Sequence, residues 1–358
     1  MMPHGCIVGR KRAFCALAAN RASGENVMRK LAAAALAFAL VVGAASDVRA
    51  QTKELRIAIQ PGILFFPMLV MKQAGIGEQV AARMGQADLK LNWNTMLSGG
   101  ANADALLSGN VDIVAGGTSN LLIVWSKSKG QVKAICAVTG VPNVLLTRDP
   151  NVKSLKDFTE KNRIAVPTLK VSLQAIYLQM ALEKEFGPGS FKKLDAMMVQ
   201  MGHPQATIAL LDPTNHVDSH FSGPPFMQTA LKNPAVHPVL RSIDVMGEAT
   251  NLLAYTTAKF YEANPKVVEV FIAALNETNE LIRKDPLKAS ALYLEASREK
   301  LTAEEVAAII KEPGTAFTTV PSGTMKFAEH MHKVGLIDEK PTGWKDYFFP
   351  ALHGANGG

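Results

Sequence analysis

Short apolar runs rich in Val, Ile and Leu alternate with longer helical stretches along most of this 358-residue chain. This alternation is typical of βα units, in which helices cover a mainly parallel sheet. In the first round of the pattern, strands are predicted at Leu55–Ile59, Leu89–Trp93, Asp112–Ala115 and Val132–Val138, and helices at Met68–Met84, from Ser98 onward, and at Leu121–Ser128. These elements predict one α/β lobe.

The pattern restarts after residue 150, which predicts a second α/β lobe. Strands are predicted at Arg163–Val166, Ala196–Gln200, Ser219–Ser222 and Val239–Ile243, and helices at Leu155–Thr159, Ser172–Phe186 and His203–Leu211. Three further helices are predicted at Pro265–Lys284, Pro286–Ser297 and Ala303–Lys311 because each begins near a residue suited to a first turn.

Two extended segments are predicted to connect the lobes. The first is "VTGVPNVLLTRDP" and the second is the apolar run Thr250–Thr257. The predicted organisation is a leader at 1–50, lobe I at 51–146 and 245–320, lobe II at 147–244, and a C-terminal helical segment at 321–358 that packs on the lobes. Two crossings between two lobes predict a hinge.

The first 50 residues have the pattern of a secretory signal peptide. Arg29 and Lys30 follow a second possible start at Met28, an apolar run extends from Leu31 to Ala45, and small residues flank Arg49 up to Ala50. The 15-residue run is shorter than the roughly 20 residues needed to span a bilayer. We therefore expect export, cleavage near Ala50 and no membrane insertion, with residues 1–27 an over-extended start.

The positive charge of the chain is concentrated in this leader. The chain has 38 basic and 31 acidic side chains, of which residues 1–50 contain seven basic and two acidic ones. The remaining residues therefore have 31 basic and 29 acidic side chains, a net charge of +2. A nearly neutral chain lacks the clustered Lys and Arg of a nucleic-acid-binding protein. Cys136 is the one cysteine beyond the leader, so no internal disulfide is predicted.

Five loops at the carboxyl ends of predicted strands are the candidate ligand site, because open α/β sheets bind ligands at that edge. They are "QPGILFF" (60–66), "LSGGAN" (97–102), "GGTSN" (116–120), "PTLKVS" (167–172) and "HFSGPPF" (220–226). No nucleotide-binding G-x-x-x-x-G-K-[ST] motif is present. A helix N-terminus in such a loop suits a carboxylate, sulfonate or nitrate, or is simply capped.

The histidines and serine near residue 220 leave two chemical alternatives. His216 and His220 are four apart but flanked by prolines, and no zinc-type spacing accompanies them, so no metal is predicted. Asp218, His220 and Ser222 alternate on one strand face, which keeps a secreted hydrolase as the alternative function. Successive side chains on one strand face are about 7 Å apart, however, which is too far for a catalytic triad.

Six stretches occur in a specific order along the chain. They are "LRIAIQPG...FFPMLVMKQAGI" (55–76), "ALLSGNVDIVAGGTSNLLI" (105–123), "VKSLKDFTEKNRIAVP" (152–167), "GHPQATIALL...HVDSHFSGPPF" (202–226), "TAKFYEANPKVVEVFIAALNET" (257–278) and "PSGTMKFAEHMHKVGLIDEKPTGWKDYFFP" (321–350). In this order they resemble the periplasmic substrate-binding proteins of ABC importers in the nitrate, sulfonate and taurine group, which also includes binders of pyrimidine precursors. The resemblance implies a two-lobe type II periplasmic binding protein fold with two crossover strands at the hinge.

The resemblance also implies a function and a set of ligand-binding residues. A small organic anion or heteroaromatic, such as a sulfonate, taurine, nitrate, a carboxylate or a pyrimidine, would be captured between the lobes of a periplasmic monomer and passed to a permease with its ATPase subunits. No cofactor and no catalysis are implied. The ligand-binding residues implied are Gln60, Gly62, Phe65, Ser98, Gly99, Gly117, Thr118, Ser119, Asn143, Thr168, Lys170, Ser172, His220, Phe221, Ser222 and Pro224, of which Lys170 alone carries a fixed charge.

Overall fold

A computed structural model describes residues 52–358, so the predicted leader and its cleavage point lie outside the described residues. The strands are β1 Glu54–Ile59, β2 Lys90–Thr95, β3 Ile113–Gly117, β4 Val132–Gly140, β5 Val144–Thr147, β6 Ile164–Val166, β7 Met198–Gln200, β8 Ser219–Ser222, β9 His237–Arg241, β10 Leu252–Thr257 and β11 Ala316–Phe317. In this part of the chain, no helix is both long enough and apolar enough to cross a membrane.

Helices cover the sheets and connect most of the strands. They are α1 Phe66–Ala74, α2 Ile76–Arg83, α3 Gly99–Leu107, α4 Thr118–Lys127, α5 Leu173–Phe186, α6 His203–Leu211, α7 Phe226–Leu231, α8 Ser242–Met246, α9 Ala258–Ala263, α10 Pro265–Lys284, α11 Pro286–Ser297, α12 Ala303–Ile309 and α13 Thr324–Lys333.

The first sheet has the strand order β11-β4-β10-β3-β1-β2. β1 pairs in parallel with β2 and β3, whereas β10 lies antiparallel between β3 and β4. Every residue of β3 is buried, as expected for an inner strand covered on both faces. The α/β class and the first sheet predicted from the alternating pattern are confirmed.

The second sheet has the order β7-β6-β8-β5-β9. β6 runs parallel to β7 and β8, and β5 lies antiparallel between β8 and β9. Each sheet therefore contains a set of parallel strands and an inner antiparallel strand next to a crossing, β10 in the first sheet and β5 in the second. In the first sheet the edge strand β11 is also antiparallel to its neighbour β4. The inner antiparallel strands arise because the chain enters each sheet from the other one.

The crossings are short and are fastened to each other. The chain leaves the first sheet at Gly140 and enters the second at Val144, so the predicted boundary after residue 146 falls inside β5, a fully buried strand of the second sheet. On the return crossing, the backbone N–H of Asn251 donates to the carbonyl of Thr139 at 2.9 Å, and its Oδ1 accepts from the N–H of Val141. Asn251 thus joins the two crossings through both its backbone N–H and its side-chain oxygen.

Two predicted elements are divided in the structure. The single helix predicted at Met68–Met84 is α1 followed by α2, because Gly75 adopts a left-handed conformation with φ of 62° that ends the first helix. The strand predicted at Val239–Ile243 is β9 followed by α8, which begins at Ser242.

The C-terminal segment packs against elements of both sheets. α13 contacts α4 beside the first sheet and α5 beside the second. Further along, the backbone N–H of Phe349 donates to the carbonyl of Ala134 in β4 at 2.9 Å, which adds the end of the chain to the first sheet.

Candidate functional site

A cleft lies between the carboxyl ends of the parallel strands of the two sheets. Most of its lining residues lie at or after the ends of β1, β2 and β3 on one side and of β6, β7 and β8 on the other, and the rest belong to the crossings and the start of β10. The lining residues are Gln60, Pro61, Gly62, Leu64, Phe65, Gly99, Gly117, Asn120, Val141, Asn143, Pro167, Thr168, Ser172, Leu173, Gln174, His203, Gly223, Pro224, Phe226 and Leu252. The space open to the centre of a water molecule is about 40 Å³. At one edge the two sides meet, where the N–H of Ile63 donates to the carbonyl of Pro224 at 3.0 Å.

Nine of the sequence-predicted residues line this cleft, and seven do not. Those that line it are Gln60, Gly62, Phe65, Gly99, Gly117, Asn143, Thr168, Ser172 and Pro224. Those placed elsewhere are Ser98, Thr118, Ser119, Lys170, His220, Phe221 and Ser222. The strand-end loops therefore come together as expected, but the individual side chains divide between the cleft and other surroundings.

Three of the seven have structural partners instead. The hydroxyl of Thr118 donates to the carbonyl of Thr250 at 2.8 Å and so holds the return crossing. Phe221 is fully buried and packs against Tyr177, with ring centroids 6.0 Å apart. Ser98 caps α3 by accepting a hydrogen bond from the N–H of Ala101.

The remaining residues outside the cleft differ in their surroundings. Lys170 is exposed, has a left-handed backbone with φ of 66° and does not line the cleft. Among residues 52–358, no Lys or Arg lines the cleft. Ser119 and Ser222 are fully buried, and the hydroxyl of Ser222 donates to the carbonyl of Gly223 at 3.3 Å. His220 is also fully buried and lies directly behind a residue that does line the cleft.

A chain of hydrogen bonds orders the side of the cleft formed by the second sheet. We call this side the second wall and define it by Asn143, Thr168, Ser172, Gln174 and His203. Nδ2 of Asn143 donates to the carbonyl of Val141 at 3.0 Å, and its Oδ1 accepts from Nε2 of Gln174 at 3.0 Å. Because a carbonyl can only accept, the orientation of both carboxamides is fixed.

The same chain continues into a pair of histidines. Nε2 of Gln174 also lies 3.3 Å from Nε2 of His203, which must accept because the amide donates. The remaining ring proton of His203 is then on Nδ1, which donates to Nε2 of His220 at 2.9 Å. His220 carries its own proton on Nδ1, a buried atom with no protein partner within residues 52–358.

Both histidines are neutral at physiological pH. Burial lowers the pKa of His203 to about 4, and burial followed by the charge of His203 keeps the pKa of His220 well below its ordinary value. The ring of His203 stacks on Phe226, with centroids 5.6 Å apart and planes 16° apart. The second wall is therefore a rigid, uncharged surface.

The opposite side of the cleft has few internal bonds. We call it the first wall and define it by Gln60, Gly99, Gly117 and Asn120. The side chain of Asn120 is 9% exposed and has no hydrogen-bond partner within the described residues. A Cβ at Gly99 would lie 2.5 Å from Oδ1 of Asn120, and one at Gly117 would lie 2.9 Å away. The two glycines therefore leave the space that the carboxamide occupies.

The alternative hydrolase arrangement is not formed. The carboxylate of Asp218 accepts from Nδ2 of Asn162 at 2.9 Å and from the hydroxyl of Ser219 at 2.8 Å. It makes no hydrogen bond to His220, whose Nε2 bonds to another histidine, and Ser222 bonds to backbone. The three side chains do not converge on one point, as nucleophilic catalysis requires.

Eleven lining residues were outside the predicted set, and four of these lie in the first turns of helices, namely Asn120, Gln174, His203 and Phe226. Gln174, His203 and Phe226 are the second, first and first residues of α5, α6 and α7. Asn120 was inside the predicted loop "GGTSN", but it is the third residue of α4. Phe226 was likewise inside the predicted loop "HFSGPPF", and extending "PTLKVS" by one helical turn would have found Gln174. His203 follows β7, whose strand-end loop was not among the five predicted.

No family model matches the sequence, and no curated protein matches it. Solved structures do match. The alkanesulfonate-binding protein SsuA from Xanthomonas axonopodis pv. citri, bound to MOPS, has a TM-score of 0.67 at 16% identity and covers 84% of this chain and 99% of its own. The periplasmic nitrate-binding protein NrtA from Synechocystis PCC 6803 has a TM-score of 0.61 at 12% identity. The match covers 83% of this chain and 84% of NrtA.

A third similar structure comes from a fungus. The Candida albicans protein CA3427, described as having the generic periplasmic binding protein fold, has a TM-score of 0.65 at 16% identity and covers 83% of this chain and 96% of its own. These likenesses show that the chain has the periplasmic binding protein fold, as the sequence resemblance predicted.

Proposed function

We propose that this protein is the solute-binding component of an ABC importer. The observation that carries the proposal is a narrow cleft, lined by hydrogen-bonding side chains, between two α/β lobes that the chain joins by two crossings. Such a cleft suits a ligand that is enclosed by both lobes at once. The binding functions of the structurally similar alkanesulfonate-binding and nitrate-binding proteins support the same proposal.

Closure of the lobes about the crossings is part of the proposal. Few polar contacts bridge the lobes at the cleft edge. Lys232 forms an ion pair with Glu305 at 2.8 Å, and Nε2 of Gln228 donates to Glu312 at 3.1 Å. The side chains of the ion pair are solvent-exposed, and an exposed ion pair contributes only about 0.2–1 kcal/mol. A bound ligand would therefore supply much of the free energy that keeps the lobes closed.

The proposed location is the periplasm, and the proposed partner is a membrane permease with its ATPase subunits. The leader-like residues 1–50 support export, and the periplasmic neighbours support the compartment. In this function the protein acts as a monomer that binds and releases its ligand unchanged, without a cofactor. The ligand classes proposed from the sequence are small organic anions and heteroaromatics.

The test combines native mass spectrometry with small-angle X-ray scattering. Protein purified from a bacterial periplasm is incubated with the small-molecule fraction of a bacterial extract. We expect one small molecule per chain, recovered chemically unchanged, and a smaller radius of gyration when it is bound. Asn110→Asp, an exposed change, should behave like the wild type. The absence of any adduct, or recovery of a converted product, would contradict the proposal.

A further inference from the structure

The charge of the cleft constrains what it can hold. None of its lining residues is Lys, Arg, Asp or Glu, and its one titratable side chain within the described residues is His203. Burial keeps the pKa of that imidazole near 4, so it is uncharged at neutral pH. A fully ionised ligand would lose its hydration here without gaining a counter-charge, which is costly in a buried site.

Gln174 adds a requirement for a hydrogen-bond donor. Its Nε2 is committed to Asn143 and His203, and that orientation is fixed by the carbonyl of Val141. Its Oε1 has no hydrogen-bond partner within residues 52–358 and cannot exchange places with the nitrogen. A ligand beside Gln174 therefore meets an obligatory acceptor.

Asn120 offers a donor and an acceptor together. Its carboxamide is nine-tenths buried, has no protein partner in the described chain, and lines the opposite wall of the cleft. An unpaired buried carboxamide costs free energy that a ligand recovers only by matching both its N–H and its C=O. The edge that matches both is the N–H and C=O edge of another amide.

Several helices begin at the cleft, including α3, α4 and α5, and their first turns carry partial positive charge. This field favours a carbonyl oxygen on the ligand, and by itself it would also favour an anion. An anion without protons, however, would put its charge against Oε1 of Gln174. The positive helix field favours a hydrogen-bond acceptor on the ligand, and Oε1 of Gln174 requires a donor. Together they favour a molecule that carries both.

Building on the proposed function, we propose that the cleft selects a small uncharged molecule of the carboxamide, urea or lactam class. It would present an N–H to Oε1 of Gln174 and pair its amide edge with Asn120. The space of about 40 Å³ open to the centre of a water molecule corresponds to roughly three water positions, so the ligand is compact.

The test uses pairs of probes that have matched size and differ in charge. Urea is compared with sodium nitrate, acetamide with sodium acetate, and methanesulfonamide with sodium methanesulfonate, at equal ionic strength, by thermal shift and calorimetric titration. Ligand that binds only the folded form raises the melting temperature. We expect the neutral member of at least one pair to bind, with at least tenfold higher affinity than its anion.

Two variants assign the effect to the cleft. Asn120→Asp keeps the shape but removes the donor, and we expect it to weaken binding of the neutral probe at least tenfold. Asn110→Asp makes the same chemical change on the surface and should leave binding unaltered. Equal weakening in both variants would overturn the assignment to Asn120.

The outcomes separate this inference from the proposed function. An anion that binds more tightly than its neutral partner overturns the inference and leaves an importer component intact. Binding of an extract molecule without binding of any neutral probe also overturns the inference alone. If no molecule from the extract binds, the proposed function itself is contradicted, and the inference that rests on it is contradicted with it.

Discussion

The two walls of the cleft use the same kind of side chain in opposite ways. Asn143 on the second wall is 1% exposed and bonds on both sides, to Val141 and to Gln174. Asn120 on the first wall is 9% exposed, and its side chain makes no hydrogen bond within the described chain. One carboxamide is satisfied by the fold, and the other is kept unsatisfied, which is a common cost of a binding site.

The contrast extends to the neighbours of each asparagine. The second wall is organised by a continuous chain of hydrogen bonds that ends at His220, behind the surface. The first wall depends on space, since Gly99 and Gly117 simply leave room for Asn120. We therefore infer that the second wall is preorganised and that the first wall completes its hydrogen bonds only with the ligand.

The largest expected effect comes from Asn143→Ala. The change removes two hydrogen bonds, leaves an N–H of Gln174 unpaired and opens a small cavity, so we expect the free energy of unfolding to fall by about 3 kcal/mol. Guanidinium denaturation measures it. A loss below about 1 kcal/mol would show that the chain of hydrogen bonds does not stabilise the fold.

Asn120→Ala is the matched change on the first wall. Because its carboxamide has no protein partner, the free energy of unfolding should change by less than about 0.5 kcal/mol. Ligand affinity, however, should fall by about 2 kcal/mol, close to thirtyfold, in calorimetric titration. Destabilisation as large as that of Asn143→Ala would contradict the claim that the fold does not use the side chain of Asn120.

The histidine pair gives the second wall a dependence on pH. Both pKa values are lower in the folded protein than the ordinary value of about 6.5, so the unfolded chain binds more protons as the pH falls below that value. Stability is therefore complete above about pH 6.5 and is lost toward pH 4. At pH 5.5 the expected loss from His203 is about 1.4 kcal/mol, and His220 adds a loss in the same direction.

His220→Gln tests this by keeping an acceptor near the position of Nε2 while removing one titrating group. Between pH 7.5 and pH 5.5 the free energy of unfolding, measured by denaturation, should fall less in the variant than in the wild type. Burial also lowers the pKa of His330, which is present in both proteins and so cancels. An identical pH dependence in the two proteins would contradict neutral burial of His220.

The smallest effect expected is at the glycines of the first wall. A Cβ in Gly99→Ala would force Asn120 to move, and we expect a loss of about 1 kcal/mol in ligand affinity. Gly100→Ala is the control, since its nearest neighbour would be 3.9 Å away and alanine favours a helix by roughly 0.5–1 kcal/mol. Equal affinities in the two variants would show that Asn120 does not need its present position.

The sequence predicted the architecture more completely than the site. Alternating apolar runs locate the inner strands, and α6 begins and ends at His203 and Leu211 as predicted. β5 was missed because three apolar residues and a threonine next to a crossing carry no periodic signal. The loops that form the site could be predicted because the order of strands and helices along the chain indicates the sheet topology.

Side-chain direction could not be predicted in the same way. Thr118 sits at the correct strand end, but it bonds to Thr250, 132 residues away. The hydrogen bonds from Asn143 through Gln174 and His203 to His220 join a crossing, two helices and a strand, and no spacing in the sequence encodes them. Whether a polar residue faces a ligand or the fold depends on such long-range partners.

A crystal structure with the ligand recovered from a periplasmic extract tests the central claim most directly. We predict an uncharged molecule between the walls, with an N–H or O–H at hydrogen-bond distance from Oε1 of Gln174 and with its polar edge on the carboxamide of Asn120. A ligand bound outside the cleft, or an anion that makes no contact with Asn120, would contradict the account.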